Sequence, residues 1–244
     1  KTTLEVAQHV DDAPSQSKPP NDKPAEPAKD TQTNGCPVSM VTGEELLTLT
    51  DGVLDGALAL EWTRLYRTSA VEINGDLGFG WSHTLSHRLQ RDGDELLWTD
   101  HENRQTRFPL PSRQRPAITN SLAKAAIYLG EHNDELILAQ AGKNSRFYHF
   151  NDLQLSAISD AYGNRLKITY QAGRLHRIDN SAGRALLLRY ADGRLCAVDY
   201  QQYDDSRAFA ERSNEHYAKR GIHLERWTTL HTQVTYQYNA AGQL

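Results

Sequence analysis

Between residues 150 and 198 the chain repeats itself every 20 residues, and that interval limits what it can fold into more than any other feature. Phe150, Tyr170 and Tyr190 are in register, as are Leu155, Leu175 and Leu195, and then Ile158, Ile178 and Val198. Gly173 and Gly193 stand just before Arg-Leu in "YQAGRL" and "YADGRL", while Gly163 in "DAYGNR" and Gly183 in "NSAGRA" mark the other end of each unit. Leu166, Ile168 and Tyr170 sit at alternate positions, as do Leu186, Leu188 and Tyr190, which is the period of a strand with one buried face. Glycine at both ends supplies the positive φ of tight turns. Each unit therefore reads as strand, Gly turn, returning strand and second turn. A hairpin alone cannot bury its apolar face, so the units are expected to stand side by side. The fold class is mainly β, an array of antiparallel hairpin repeats.

The array is interrupted once. The next apolar triad is due at 206, 208 and 210 but stands at Val234, Tyr236 and Tyr238, 28 residues late. Residues 201–229 therefore read as an insertion. A short helix is expected near 205–220, with Asp204 or Asp205 as cap and Lys219-Arg220 before a stop at Gly221. This makes 116–244 the hairpin sheet, cut by the insertion. Residues 38–115 form a separate β-rich opening, with turn signals at Asp51-Gly52 and Asp55-Gly56 and a strand pair in "ELLWTDHENRQTRFPL". Within it, Trp81, His83, Leu85, His87 and Leu89 alternate and are expected to share one strand face. Residues 11–37 hold six of the nine prolines and no aromatic residue. Such composition buries too little apolar surface to offset ordering entropy, so 1–37 reads as an extended, mobile, disordered linker.

Little in the chain speaks for chemistry. The net charge of −4 is spread without a block, which argues against nucleic acid or a polybasic membrane contact. No apolar run approaches the roughly 18–20 residues of a membrane span, and the first residues lack the apolar core of a signal peptide. Cys36 and Cys196 are no disulfide framework and read as two unpaired thiols. His83 and His87 would share a metal on a helix. On a strand they lie roughly 13 Å apart, so no metal is expected. "GDLGFGW" leads into a strand rather than a helix, so it reads as a tight turn with Phe79 and Trp81 as core plugs instead of a phosphate cradle. No nucleophile elbow occurs, and no cofactor is expected. Arg174, Arg184 and Arg194 read as solvated turn residues, and the repeated tyrosines as core with their hydroxyls reaching partners.

The repeat phrase of Tyr, Gly, Arg-Leu and a turn near Asp or Asn resembles the YD repeat of the Rhs (rearrangement hot spot) family. "PVSMVTGEELLTLTDGVLDGALALEWTRLYRTS" followed by "LGFGWSHTLSHRL" is similar to the segment that opens the Rhs core, so the resemblance covers about 38–244. It implies a polymorphic toxin whose repeats spiral into a hollow β-shell around a C-terminal toxin. Residues 38–115 would start the shell and 116–244 would form its first strands, with nothing catalytic here. The partners implied are the rest of the core, the C-terminal toxin, type VI secretion spike proteins and a loading chaperone. The protein would be stored in the cytoplasm and then exported for bacterial competition. Some members are cut near the start of the core, which makes Gly35–Val38 a candidate cleavage region. Related arrays also occur in cell-surface proteins, so an adhesion or carbohydrate-binding module is the alternative.

Overall fold

The computed structural model describes residues 11–15, 18, 27–30, 38–39, 42–132, 134–141, 145–206 and 226–244. Its spine is a sheet of 11 strands. β1 (Asp11–Asp12) is followed by β10 (Ala117–Asn120), β11 (Ala125–Leu129), β12 (Glu135–Gln140), β13 (Arg146–Asn151) and β14 (Gln154–Ser159). Then come β15 (Arg165–Gln171), β16 (Arg174–Asn180), β17 (Arg184–Ala191), β18 (Arg194–Tyr203) and β19 (Trp227–Thr235). From β10 to β19 each strand pairs antiparallel with the next in sequence. The fold is therefore mainly β and antiparallel, as the repeat requires.

Two kinds of turn alternate along the array. At 152–153, 172–173 and 192–193 both turn residues have positive φ (49° and 63°, 49° and 75°, 49° and 80°), the two-residue hairpin turn whose twist matches the strands it joins. Gly173 and Gly193 fill the second position in two of these, and Leu153 takes it in the first. At the other end, Asp160 Oδ1 accepts the N–H groups of Tyr162 and Asn164, and Asn180 Oδ1 accepts those of Ala182 and Arg184. A short side chain thus closes each of these loops on its own backbone.

The register slips by one residue at the same place in every unit, next to Phe150, Tyr170 and Tyr190. Ser156, His176 and Cys196 are the extra residues of three β-bulges. This explains a spacing that simple alternation does not. Leu175 and Ile178 are three apart and belong on opposite faces of a regular strand, yet both are buried. The bulge between them returns the chain to the same face, and Leu155 with Ile158 and Leu195 with Val198 repeat the pattern.

The buried face is covered by small sheets from the opening segment. β2 (Leu46–Leu54), β3 (Leu60–Arg67) and β6 (Trp81–His83) form one, and β7 (Arg88–Asp92), β8 (Glu95–Thr99) and β9 (Gln105–Pro109) another. β4 (Asn74–Gly75) and β5 (Gly78–Phe79) are a minimal hairpin beside them. Leu54, Leu60, Trp62, Leu96, Trp98 and Phe108 join the repeat residues in one apolar core. Burying a side chain of this size contributes roughly 1.5–3 kcal/mol.

Several expectations need correction. The alternating stretch 81–89 is not one strand: β6 ends at His83, and a turn precedes β7. Ser86 makes that turn, its Oγ accepting the His83 N–H (2.9 Å) and its N–H reaching the His83 carbonyl (2.8 Å), so local hydrogen bonding overrides the pattern. Phe79 is no core plug: it is 42% exposed, with the Arg194 guanidinium over its ring. The insertion is shorter than 201–229, because Gln201–Tyr203 pair with Trp227–Thr229. The helix expected near 205–220 falls largely on 207–225, outside the described residues, as does Cys36. Part of the 1–37 segment is anchored. β1 lies parallel on β10, Lys18 exchanges backbone hydrogen bonds with Gln105, and Ala28 N–H donates to Glu102 Oε2 (2.9 Å). Polar side chains hold it where apolar burial does not. Asn120 bonds Ser15, and Ser121 bonds Asp12. Among the described residues no helix is long and apolar enough to cross a membrane.

Candidate functional site

The repeat residues assemble into one continuous wall. Leu155, Leu175 and Leu195 share its buried face with Ile158, Ile178, Val198 and Phe150, the last with 0% exposure. Tyr170 and Tyr190 are half-buried against the same core. Burial, with Asp76 nearby, pushes the Tyr170 hydroxyl up to about 12 and raises that of Tyr190. The expectation that each tyrosine hydroxyl finds a partner holds for Tyr238, which donates to the Leu195 carbonyl (2.7 Å), and for Tyr236, which donates to Asp51 (2.8 Å). It does not hold for Tyr190, whose hydroxyl has no partner among the described residues. Gly163, Gly173, Gly183 and Gly193 all have positive φ, between 73° and 84°.

Two of the three repeated arginines, Arg174 and Arg194, are more than solvated turn residues. Arg174 lies over the ring of Tyr190, with its guanidinium carbon 5.3 Å from the centroid, and Arg194 lies over Tyr238 at 5.4 Å. Each thus covers the aromatic ring of the following unit, a cation–π contact of roughly 0.5–1 kcal/mol at an exposed site. Tyr238 holds that place despite the interruption, so the repeat resumes in phase after the insertion. A longer turn follows it, closed by Asn239 Oδ1 on the N–H groups of Ala241 and Gln243.

The opening segment is fastened to the wall by the Tyr236 hydroxyl, which Trp62 and Asp51 share, and by Asn180 Nδ2, which donates to the Asp55 carbonyl. Ion pairs tie its own small sheets together. The fully buried Trp62 donates from Nε1 to the Tyr236 hydroxyl (2.9 Å), and Arg64 pairs with Asp51 (2.6 Å). Arg67, with no exposed surface, lies 3.3 Å from Glu44 and 3.6 Å from Glu102, while Arg104 meets Asp100 at 2.6 Å and Glu102 at 3.5 Å. Burial lowers the Arg67 pKa, and Glu44 and Glu102 oppose that loss. The two histidines of "HTLSH" are structural neighbours of this junction. His83 stacks on Trp62 (centroids 4.7 Å apart), and His87 packs against Trp98, Tyr148 and His101. Burial first, then His101 and His83, holds the His87 imidazole well below the usual histidine range. Among the described residues no three His, Cys, Asp or Glu side chains gather as a metal site, and Cys196 is a free thiol.

Sequence spacing gives no hint of one polar row. On the sheet face opposite the core, Glu135 Oε1 meets His149 Nδ1 at 3.1 Å, and His149 Nε2 meets Ser159 Oγ at 2.8 Å. Burial lowers the His149 pKa although Glu135 opposes it. Burial also pushes the Glu135 carboxyl up, but His149 and the backbone N–H donors bring it below its usual value. The three residues stand on adjacent strands whose neighbouring N–H groups are paired in the ladder. Backbone donors are therefore not free to hold an oxyanion, and the row ties three strands together.

Residues 35–108 match the model of a domain of unknown function, DUF6531, which covers most of the opening segment. The chain is also 27% identical over 172 residues, 68% of its length, to the double-stranded DNA deaminase toxin A of Burkholderia cenocepacia (strain H111). That alignment spans 12% of the toxin. The chain is thus similar to a short part of a much longer toxin.

Proposed function

We propose that this chain is the N-terminal wall segment of an Rhs-type secreted polymorphic toxin, performing no reaction itself and helping to enclose a C-terminal toxin domain. The observation that carries the reading is serial pairing. Strands β10 to β19 each join their sequence neighbours, so further hairpins extend the wall without rearranging it. Similarity to part of a toxin supports the toxin context. Export by a type VI system, with a loading chaperone and spike proteins as partners, and storage in the cytoplasm before export, belong to the same reading. A cut at Gly35–Val38 would fall between the anchored segment and β2. The adhesion alternative needs a row of exposed rings, whereas Phe150 is fully buried and Tyr170 and Tyr190 pack on the core.

The test is protease protection in the full-length protein that carries this segment. The region beyond the hairpins should resist a nonspecific protease, and removing residues 165–184, one unit of 20 residues, should expose it. Equal resistance, or equal sensitivity, with and without that unit would refute the enclosure.

A further inference from the structure

Two imidazoles in the "HTLSH" stretch are each fixed in one tautomer by a group that can only donate. His83 Nδ1 accepts the Leu85 N–H (3.2 Å), and His87 Nδ1 accepts the Trp98 indole N–H (3.3 Å). Each neutral ring therefore carries its hydrogen on Nε2. For His83 that nitrogen faces Asp76 at 3.5 Å, a partner that also suits a cation. His87 is 4% exposed, and its Nε2 has no partner among the described residues. A second proton on this ring would set a new N–H against the indole N–H. The bond to Trp98 would break and leave a buried cation with neither nitrogen paired, which is costly.

The groups that face His87 give that charge little help. Burial first, then His101 and His83, then Arg104 and Arg146, hold the ring neutral. Asp100 is matched by Arg104 at 2.6 Å. The Tyr148 ring of β13, with its centroid 4.1 Å away, is the neighbour that attracts a cation. Its hydroxyl, pushed up to about 12 by burial, supplies no counter-charge. His87 also stands at a seam. Its turn closes on itself through Ser86 and His83. The 100–104 loop, whose His101 ring lies 5.2 Å from His87, closes through Asp100 Oδ1, which accepts the Glu102 and Arg104 N–H groups. Both pieces can thus shift without breaking the strand ladders around them. We propose that His87 is an acid-sensitive latch between the opening segment and the wall. A second proton on its ring parts the 84–87 turn and the 100–104 loop from Tyr148, while β15 to β18 stay paired. The latch takes its purpose from the enclosing wall proposed above, but hydrogen exchange tests the latch and protease protection tests the wall, so each can fail without the other.

The 244-residue chain is labelled with deuterium at pH 7, 6 and 5, and protection is read by mass spectrometry after correction for the intrinsic exchange rate at each pH. In the open latch His87 takes up its proton near the ordinary value of about 6.5, whereas closure holds the ring well below that. The hold is therefore complete above pH 6.5 and is lost as pH falls below it. With one proton taken up per opening, peptides from 84–104 should lose about twentyfold in protection between pH 7 and pH 5. At pH 5 they should be less protected than peptides from 165–200, and indifferent to urea up to about 1 M, because a local opening exposes little surface. His87→Gln keeps an acceptor for Trp98 and His87→Phe keeps the ring contacts, and neither takes up a proton. In whichever folds, protection of 84–104 should stay within about threefold across the same range. His149→Gln, at the Glu135 row, should leave the full response. Unchanged protection of 84–104 down to pH 5, a loss that equals that of 165–200 and grows with urea, or a full response in the His87 variants would overturn the proposal.

Discussion

Deleting Cys196 removes the extra residue of the β18 bulge while leaving every other side chain in place, and it isolates what the bulge does. In the native ladder Tyr190 faces Leu195 and Arg189 faces Ala197, with Cys196 unmatched between them. Without it Leu195 and Ala197 become consecutive and pair regularly with Tyr190 and Arg189, so residues 197–203 keep both register and face. Val198 and Tyr200, 0% and 8% exposed, stay in the core, and Asp199 keeps the Arg189 guanidinium at 2.6 Å and the Thr232 hydroxyl at 2.7 Å. The loss is the local twist that the bulge adds, at about 1–2 kcal/mol. Inserting one alanine between Ala197 and Val198 does the opposite. Residues 198–203 then slide by one position, and a slip of one reverses the face of every side chain. Val198 and Tyr200 leave the core at roughly 1.5–3 kcal/mol each, about 3–6 kcal/mol together, and Asp199 turns inward, away from Arg189 and Thr232. That is a large part of the stability of a typical domain. Urea unfolding followed by tryptophan fluorescence compares the two variants. An insertion variant within about 1 kcal/mol of the deletion variant would show that register does not set the faces of this array.

Other perturbations probe separate joints. Trp62→Phe and Tyr236→Phe each strand one end of the buried Trp62–Tyr236 hydrogen bond and should cost about 1–3 kcal/mol more than the lost contacts, whereas the double variant should cost less than the sum, as a double-mutant cycle by urea unfolding would reveal. Because His87 stays neutral in the fold, with a pKa held well below 6.5, the unfolded chain takes up the proton first. Stability should therefore fall as pH drops below about 6.5, by up to roughly 1.4 kcal/mol per pH unit from this group, and His87→Phe should flatten that slope in melts between pH 7 and pH 5. Gly173→Val adds a branched side chain at φ of +75° with no atom within 4 Å of the new Cβ. The cost is then backbone strain alone, at least about 1–2 kcal/mol in a thermal melt, and an unchanged melting temperature would contradict the turn. Arg67→Met should cost about 3–5 kcal/mol in urea unfolding by leaving Glu44 without its buried cation and Glu102 with Arg104 alone, with partial recovery when Glu102→Gln is added.

The residues that could be read in advance are those whose partners lie close in sequence. Tyr170, Gly173 and Leu175 announce their hairpin because turn chemistry and alternation act over a few residues, and the 20-residue interval then multiplies the signal. The faces of the returning strands were harder. Leu175 and Ile178 violate period two, and only the slip opposite Thr169 and Tyr170 reconciles them. The same dependence on pairing hid the end of β6. The residues from Trp81 to Leu89 alternate as a strand should, but Ser86 gives His83 a local partner that no pattern of apolar residues records. Sites assembled from distant segments were illegible altogether. Ser15 meets Asn120 across 105 positions, and Trp62 meets Tyr236 across 174 only because the last strand of the array returns to the opening segment. The distinction has a physical basis. A hairpin wall repeats local rules, so its sequence announces the wall. The junction that fastens the opening segment to it is made once, from side chains whose proximity is a product of the whole fold, and that is where any chemistry particular to this chain must be sought.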